Sequence, residues 1–323
     1  DGLKDETNWF DETYKTGSTQ NYQLSVNGST DKVNYYMSGG YSNEVGVIPT
    51  TKFSRYNFRT ALDADVTKWL NVGGNVAYAY SDNAGTISSG TGANRGGLVL
   101  SVINTPTYAS IYDPENPNHY YTNFYGVSNI THPLENIERY KNQHDKQHRL
   151  VASGKGIFTL YDTKKFERAD NYNHSLKFTT TFTEDLKMVN FTSFLDPDKT
   201  SWGRNQYGEG TDRRTSDLVT VWDNVLSYNT QLGKNNLDLM LGSSYTHSMY
   251  TYSNIQGSHY ADGTIETLNA ANKIDPGATS TTASEWAIMS AFARVSYNYD
   301  SRYLLSVNFR ADGSSKFPNN TWG

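Results

Sequence analysis

Residues 285–323 read EWAIMSAFARVSYNYDSRYLLSVNFRADGSSKFPNNTWG, and the sense of this stretch decides the fold. Tyr303, Leu305, Val307 and Phe309 alternate with Leu304, Ser306, Asn308 and Arg310, so a strand here has one apolar and one polar face. Upstream, Val295, Tyr297 and Tyr299 alternate with Arg294, Ser296 and Asn298, and Asp300-Ser301 makes a short turn. An apolar, ring-tipped face backed by a polar face carrying arginine is the pattern of a membrane barrel strand. A soluble β-sandwich hairpin gives the same alternation, with its polar face in water and its apolar face on a second sheet. The hairpin alone leaves both open.

The remaining chain decides between them. It has 323 residues, one large β-domain or two ordinary ones, and a net charge of −5, which gives no footprint for a nucleic-acid partner. Its 25 Tyr, 13 Phe, 6 Trp and 26 Gly, with abundant Asn, Ser and Thr, favour strands, tight turns and polar loops over helices. The absence of cysteine excludes disulfides, zinc-thiolate sites and thiol chemistry. No apolar run reaches the eighteen or so residues of a membrane helix, but barrel strands alternate and average out as polar. There is no signal-peptide pattern, and the chain starts and stops inside loops, as expected of a piece of something longer.

Residues 1–18 read as a loop anchored by Trp9 and Phe10. Tyr22, Leu24 and Val26 then oppose Val33, Tyr35, Met37 and Tyr41 across a turn at 28–32, a hairpin. Tyr56, Phe58, Thr60 and Leu62 resume the pattern, and Leu70, Val72, Val76, Tyr78 and Tyr80 follow a turn at 64–69. Residues 82–173 form a long irregular region marked by a Gly/Ser/Thr tract and by Pro106, Pro114, Pro117 and Pro133. Within it, 93–104 reads as a short helix and 148–161 as a hairpin arm. A connection of this length is usually functional. Strands return at 174–182 and 187–195 about a tight turn at 183–186, then at 217–232 and 237–250 about 233–236, before the closing hairpin.

The connections alternate strictly in length. Short ones fall at 28–32, 64–69, 183–186, 233–236 and 299–302. Long ones fall at 43–52, 82–173, 196–216, 253–284 and from Asp312 onward. Ten strands with short turns at one end and long loops at the other have the asymmetry of an outer-membrane barrel, with periplasmic turns and extracellular loops. A sandwich has no reason to sort its loops this way.

Catalytic and metal readings are weak. His144 and His148 would suit zinc if helical, but no Glu-flanked signature surrounds them, and solvated loop histidines are the simpler account. The carboxylate pairs Asp11/Glu12 and Glu184/Asp185 sit in predicted loops and turns, where charge is routine. No catalytic residue, metal site or cofactor is assigned. Asn27-Gly28-Ser29 and Asn319-Asn320-Thr321 match N-glycosylation acceptors, which carry no meaning on a bacterial barrel.

Two loops combine flat rings with hydrogen-bonding side chains, as a glycan site requires. One holds Tyr112, Asn116, His119 and Tyr120; the other holds Trp202, Arg204, Asn205 and Tyr207. For any single residue, loop packing or an aromatic girdle is the competing account. Arg59, Arg294 and Arg310 fall on the polar face, predicted to be lumen residues that pair with acidic neighbours or contact a plug.

Several of these stretches are similar to the SusC/RagA family of TonB-dependent outer-membrane transporters of the Bacteroidota. The residues that carry the resemblance are Asn8-Trp9-Phe10-Asp11-Glu12, Gln20-Asn21-Tyr22 through Ser25-Val26-Asn27-Gly28, Tyr35-Tyr36, Gly40-Tyr41, Gly46, Arg55-Tyr56 and Lys68-Trp69-Leu70. Near the other end they are Ala293 to Tyr299, Arg302 to Leu305, and Arg310-Ala311-Asp312-Gly313-Ser314-Ser315-Lys316-Phe317, the most specific motif. The middle is covered thinly, at Ser227-Tyr228-Asn229 and Leu241-Gly242.

The resemblance implies that residues 1–323 are part of one receptor barrel of about twenty-two strands, with 82–173 a long extracellular loop region. An N-terminal plug with its TonB-contacting segment and the later strands are missing from the pattern. Ten strands cannot close such a barrel, and each unpaired backbone group on an open edge in lipid costs several kcal/mol. Residues 130–173 are longer than the family pattern. The resemblance further implies a non-enzymatic importer of an oligosaccharide or peptide too large for porins, with a SusD-like lipoprotein lid. Energy comes from the proton gradient through TonB–ExbB–ExbD acting on the plug. The competing readings are a passive barrel or adhesin, and a secreted carbohydrate-binding β-sandwich or an enzyme built on one.

Overall fold

The computed structural model describes residues 6–85, 97–122, 131–166 and 173–317. The chain opens with the short helix α1 (Trp9–Thr13), followed by β1 (Ser18–Ser29), β2 (Val33–Val45), β3 (Lys52–Asp65) and β4 (Leu70–Ala84). Helices α2 (Leu98–Asn104) and α3 (Pro133–Tyr140) precede β5 (His144–Asp162) and β6 (Asn173–Leu195). Helix α4 (Ser201–Gln206) leads to β7 (Glu209–Leu232), β8 (Asn235–Ser258), the two-residue β9 (Lys273–Ile274), β10 (Ser280–Tyr299) and β11 (Tyr303–Ser314). All strands belong to one sheet in the order β1-β2-β3-β4-β5-β6-β7-β8-β10-β11, with β9 paired only to β8. Every pairing is antiparallel and, with the two-residue β9 set aside, joins chain neighbours, so the wall is a simple meander.

Register carries one face across all ten long strands. Val26 lies opposite Met37, Met37 opposite Thr60, Thr60 opposite Val76, and Val76 opposite Ala152. Further along, Phe182 meets Trp222, Trp222 meets Tyr245, and Tyr245 meets Met289. The side chains on this face include Tyr22, Leu24, Phe58, Leu62, Trp222, Leu241, Val307 and Phe309, all exposed. No second sheet covers them among the described residues, which removes the sandwich reading. An exposed apolar surface of this extent is a membrane-facing one. Tyr299, which packs against Tyr303, and Trp69 mark its lower edge; Tyr56, Tyr80, Trp222 and Tyr245 mark its upper edge. Ten residues separate Leu70 from Tyr80, about 33 Å of strand, or about 25 Å of height at barrel tilt.

The expected ten long strands are present, with β7 starting at Glu209 and β8 running to Ser258, inside the loops expected at 196–216 and 253–284, and two further assignments change. Residues 82–173 are not one loop: β5 runs through them for 19 residues and pairs with both β4 and β6. Its outward positions include Gly154 and Gly156, which erase the apolar alternation. The expected turn at 183–186 is the middle of β6, a single strand of 23 residues. Glu184 and Asp185 read as a turn because they are adjacent charges, yet they face opposite sides. Thr220 Oγ1 donates to Glu184 at 2.9 Å, while Arg149 clamps Asp185 at 3.0 and 2.7 Å. The turn joining β5 to β6 lies at 163–172, of which 167–172 fall outside the described residues. The strict sorting by length is therefore relaxed: the β5–β6 connection has ten residues, more than the six (46–51) between β2 and β3, while the three longest connections, 85–143, 196–208 and 259–279, still share one end. At the closing turn, Asp300 and Ser301 both take positive φ (52° and 56°), the twist a tight hairpin requires.

The helix expected at 93–104 is α2, whose predicted start lies outside the described residues, as do most of the Gly/Ser/Thr tract and Asn319 to Thr321. Trp9 is an anchor, 2% exposed, whereas Phe10 is exposed and stacks on Tyr14. Among the described residues the main buried apolar cluster is in the loops, not on the sheet: Trp9, Leu98, Val102, Ala109 and Ile137. Strands β7 and β8 have 24 residues each. At about 3.3 Å per residue and barrel tilt they rise about 60 Å, more than twice the apolar band. The wall therefore extends far outside the membrane on the long-loop side.

Leu241 sits in the middle of the belt between Leu226 and Ala293, and is 60% exposed. Leu241→Arg is expected to cost about 2–4 kcal/mol in urea titrations of the full-length protein in lipid vesicles. Val225→Arg, on the polar face of the neighbouring strand, is expected to change stability by less than about 1 kcal/mol. Equal losses would contradict the assignment of faces.

Candidate functional site

The loop cluster at the outer end is organised by α3. Its sequence starts His132-Pro133-Leu134-Glu135: proline takes the first helical position, where its missing N–H costs nothing, and His132 Nδ1 accepts from the Glu135 amide at 3.3 Å. Ile137 faces the apolar cluster with Trp9, Leu98 and Val102, and Leu134 packs at its edge. The other side of α3 holds a second loop. Glu135, only 2% exposed, accepts from the Ser201 amide at the start of α4. Thr200 caps the same helix by accepting from Gly203 N at 2.9 Å. A side chain at Gly203 would collide with the Asp196 carbonyl. The Arg139 guanidinium lies 4.1 Å from the centre of the Trp202 ring, and Glu138 reaches Lys141 (3.4 Å) and Lys199 (3.9 Å).

The first ring-bearing loop folds on itself. Tyr112 and Tyr120 form an isolated bridge with rings stacked at 5.7 Å, and Asn116 Nδ2 lies 3.1 Å from His119 Nδ1. Tyr120 also tilts against His132 at 5.1 Å, and His132 meets Trp9 edge-on at 4.9 Å. Tyr112 is exposed, while Tyr120 is half-buried. Burial, followed by the nearby Glu138 carboxylate, pushes the Tyr120 hydroxyl up to about 12, so it stays a neutral hydrogen-bonding group.

In the second loop, Arg204 Nη1 donates to the Asp198 carbonyl at 2.7 Å, and Asn205 is exposed. Tyr207 takes a left-handed conformation (φ 54°), with its exposed ring 5.0 Å from His259. The structure thus brings Tyr112, Asn116, His119 and Tyr120 together at the start of α3 and Trp202 against its end, while Arg204 bonds within its own loop. Eight helical residues, about 12 Å, separate the two groups. Tyr207 belongs to a third contact, with the loop after β8.

Arg59, Arg294 and Arg310 all lie on the polar face. Arg310 Nε is 2.9 Å from both Asp312 oxygens and its Nη2 is 3.2 Å from Ser290 Oγ; Arg59 stands 5.9 Å over Tyr36, and Arg294 is exposed. His144 and His148 are on a strand, about 13 Å apart along it, too far to share an ion. They contact Asp82 (3.1 Å) and the Tyr78 hydroxyl (2.8 Å) respectively. Sequence reasoning missed His132, Glu135 and Arg139, although the proline at the first turn, the Glu two residues on and the Leu134/Ile137 spacing were a legible helix start.

No family model matches the chain. Over 97% of its length it is 26% identical to TonB-dependent receptor P3 of Formosa agariphila, of which it spans 30%. Over 98% it is 24% identical to TonB-dependent receptor SusC of Bacteroides thetaiotaomicron, of which it spans 31%. Its fold is similar to the RagAB peptide transporter, with a TM-score of 0.75 over 99% of this chain and 35% of that one at 21% identity. The wall is therefore similar in sequence to TonB-dependent receptors and in fold to part of the RagAB barrel, and the chain spans about a third of the proteins it resembles.

His132 is fully buried, and desolvation holds its imidazole down at about 4, an interaction with the Ile111 backbone partly opposing. The folded value is below the unfolded one, so the protein-bound ring stays neutral while the unfolded ring takes a proton as pH falls. The cap's stability is full above about pH 6.5 and decreases toward pH 4, by up to about 3 kcal/mol. Hydrogen exchange at 131–140 is expected to accelerate across that window, and His132→Gln to flatten the response.

Proposed function

We propose that this barrel wall belongs to a TonB-dependent importer that carries an oligosaccharide across the outer membrane. The observation that supports it best is the pairing of a membrane-spanning wall with a pre-built extracellular cluster bearing exposed rings and amides. Arg59, Arg294 and Arg310 then face the lumen, where they meet acidic wall neighbours such as Asp312 or a plug. The remaining strands and the plug are supplied by protein outside this chain, in keeping with the lengths of the proteins it resembles. A SusD-like lipoprotein closes over the loops, and TonB–ExbB–ExbD couples the proton gradient to plug displacement. Substrate is captured between loops and lid, then passes when the plug moves; no bond is broken.

Tyr112 supplies the accessible ring of the first loop, with Asn116, His119 and Tyr120 beside it. Trp202, Arg204, Asn205 and Tyr207 supply the second surface. A flat ring covers the apolar face of a pyranose while amides and guanidinium groups bond its hydroxyls. One face of Trp202 is already covered by Arg139. A peptide cargo is the second reading, favoured by the likeness to a structure described as a peptide transporter. Hydrolases or peptidases encoded next to the full-length gene decide between the two.

Two experiments bear on this reading. Uptake of labelled oligosaccharide by cells should stop when the proton gradient is collapsed; continued uptake would leave a passive barrel as the better account. Tyr112→Ala is expected to lower uptake roughly tenfold at unchanged protein level, the loss of one stacked ring. Normal growth of that variant on the limiting nutrient would remove Tyr112 from the site.

A further inference from the structure

A cavity of 270 Å³ lies high on the outward face of the wall, walled by Asn142, His144, Thr192, Phe194, Asp212 and Glu266 among others. Its place follows from register. Thr192 pairs with His144 and Asp212, and all three share the face that carries Phe182 and Trp222 lower down. Ten residues separate Phe182 from Thr192, about 33 Å of strand, so the cavity is about 25 Å above the ring belt. It is outside the membrane and on the opposite face from the proposed lumen.

The loop after β8 forms its roof. Tyr260 packs edge-on against Phe194 with ring centres 5.0 Å apart, and its amide donates to the Tyr207 carbonyl at 2.8 Å. Asn142 Nδ2 donates to Glu266 Oε1 at 2.8 Å, which ties the roof to the start of β5. Below it, Asp82 holds His144 at 3.1 Å, and Arg214 holds Asp212 at 3.1 and 3.2 Å. The Tyr260 hydroxyl is buried without a partner, against Gly210 and next to the lining residue Thr211.

We propose that this cavity binds one neutral hexose unit of a saccharide at the cell surface, separately from any transported cargo. The walls offer carboxylate acceptors from Glu266 and Asp212, an amide from Asn142, a hydroxyl from Thr192 and an aromatic backing from Phe194. Vicinal sugar hydroxyls donate to carboxylates and accept from amides, and the C–H face of the ring rests on apolar surface. Arg214 offsets the charge of Asp212, so it is Glu266, held by the neutral Asn142 amide, that disfavours an anionic ligand. The volume is below the about 300–1,000 Å³ of drug-sized ligand sites, which limits the occupant to a single ring. Because the cavity opens away from the polar face, its occupancy does not depend on the import reading.

Saturation-transfer NMR on the full-length protein in lipid nanodiscs tests this, with glucose, galactose and mannose as probes and gluconate as the charged control. At least one neutral hexose is expected to receive transfer with an affinity on the order of 1–10 mM, and gluconate none. Thr192 and Glu266 are exposed, so substitutions there leave the wall intact. These variants are compared in a Tyr112→Ala background, which removes the accessible ring of the proposed cargo surface. There Thr192→Trp, which fills the cavity, is expected to abolish transfer, and Glu266→Gln to weaken binding roughly tenfold. Transfer from none of the three sugars, or transfer that survives Thr192→Trp in that background, overturns the proposal. Transfer seen in the parent protein and lost entirely in Tyr112→Ala alone assigns the signal to the α3 loops and overturns it equally.

Discussion

The requirement that every backbone N–H and C=O be paired within the hydrocarbon is what the rest of this structure depends on. It forces the hydrogen-bond ladder to run without a gap from β1 to β11, and an unbroken ladder fixes register. Register in turn fixes faces, because a slip of one residue would exchange the lipid-facing and polar sets. The described strands contain one register irregularity, between Thr159 and Tyr161 near the short-turn rim, where a slip does the least harm. The same rule governs polar side chains on the outward face. Trp222 Nε1 donates to Thr180 Oγ1 at 3.0 Å, and His174 Nδ1 meets the Tyr228 hydroxyl at 2.8 Å and Thr230 Oγ1 at 2.9 Å. Each finds its partner on the next strand, since lipid offers none.

Polar pairs on that face also mark where the membrane ends. Glu184 with Thr220, and His247 with Glu285 at 2.5 Å, stand just above the belt of Phe182, Trp222 and Tyr245. A carboxylate costs far less there than at the midplane, because headgroups and water begin within a few ångströms. Above this line the outward face has no lipid to satisfy, and its composition changes to Ser216, Thr251, Ser253 and Thr281. One strand thus changes solvent along its length, and its residues follow.

This change of solvent also sets what the sequence could reveal. In the hydrocarbon zone, alternation is imposed by lipid on one side, so β1 to β4, β7, β8, β10 and β11 were legible from Tyr, Leu and Val at every second position. β5 was not, because Gly154 and Gly156 leave its outward face without side chains while its first residues carry charge and imidazole. β6 appeared split because Glu184-Asp185 resembles a turn, and only a neighbouring strand with Arg149 and Thr220 makes that pair tolerable mid-strand. The two errors compensated in the strand count. In the loops the ring-bearing segments are visible as composition, but of the eight-residue helix that joins them only the His132-Pro133-Leu134-Glu135 start is legible, because so short a helix among prolines carries little periodic signal.

What α3 does to those segments bears on recognition. A loop that presents rings to a ligand loses conformational freedom on binding, and that loss subtracts from affinity. Here much of the ordering is already present in the fold. Tyr112 is held by its stack and bridge to Tyr120, Tyr120 by His132, and the second loop by Glu135 and Arg139. Burial keeps His132 neutral, so its Nδ1 remains an acceptor for the helix start, and a buried Glu135 is tolerable because an amide at the start of α4 faces it. The groups that hold the cluster are therefore buried (His132, Glu135) or half-buried (Tyr120, Arg139), and the groups that face outward, Tyr112, Asn205 and Tyr207, contribute less to holding it. If these loops bind as proposed, substitution at the exposed positions changes the ligand while the wall and the α3 scaffold stay as they are.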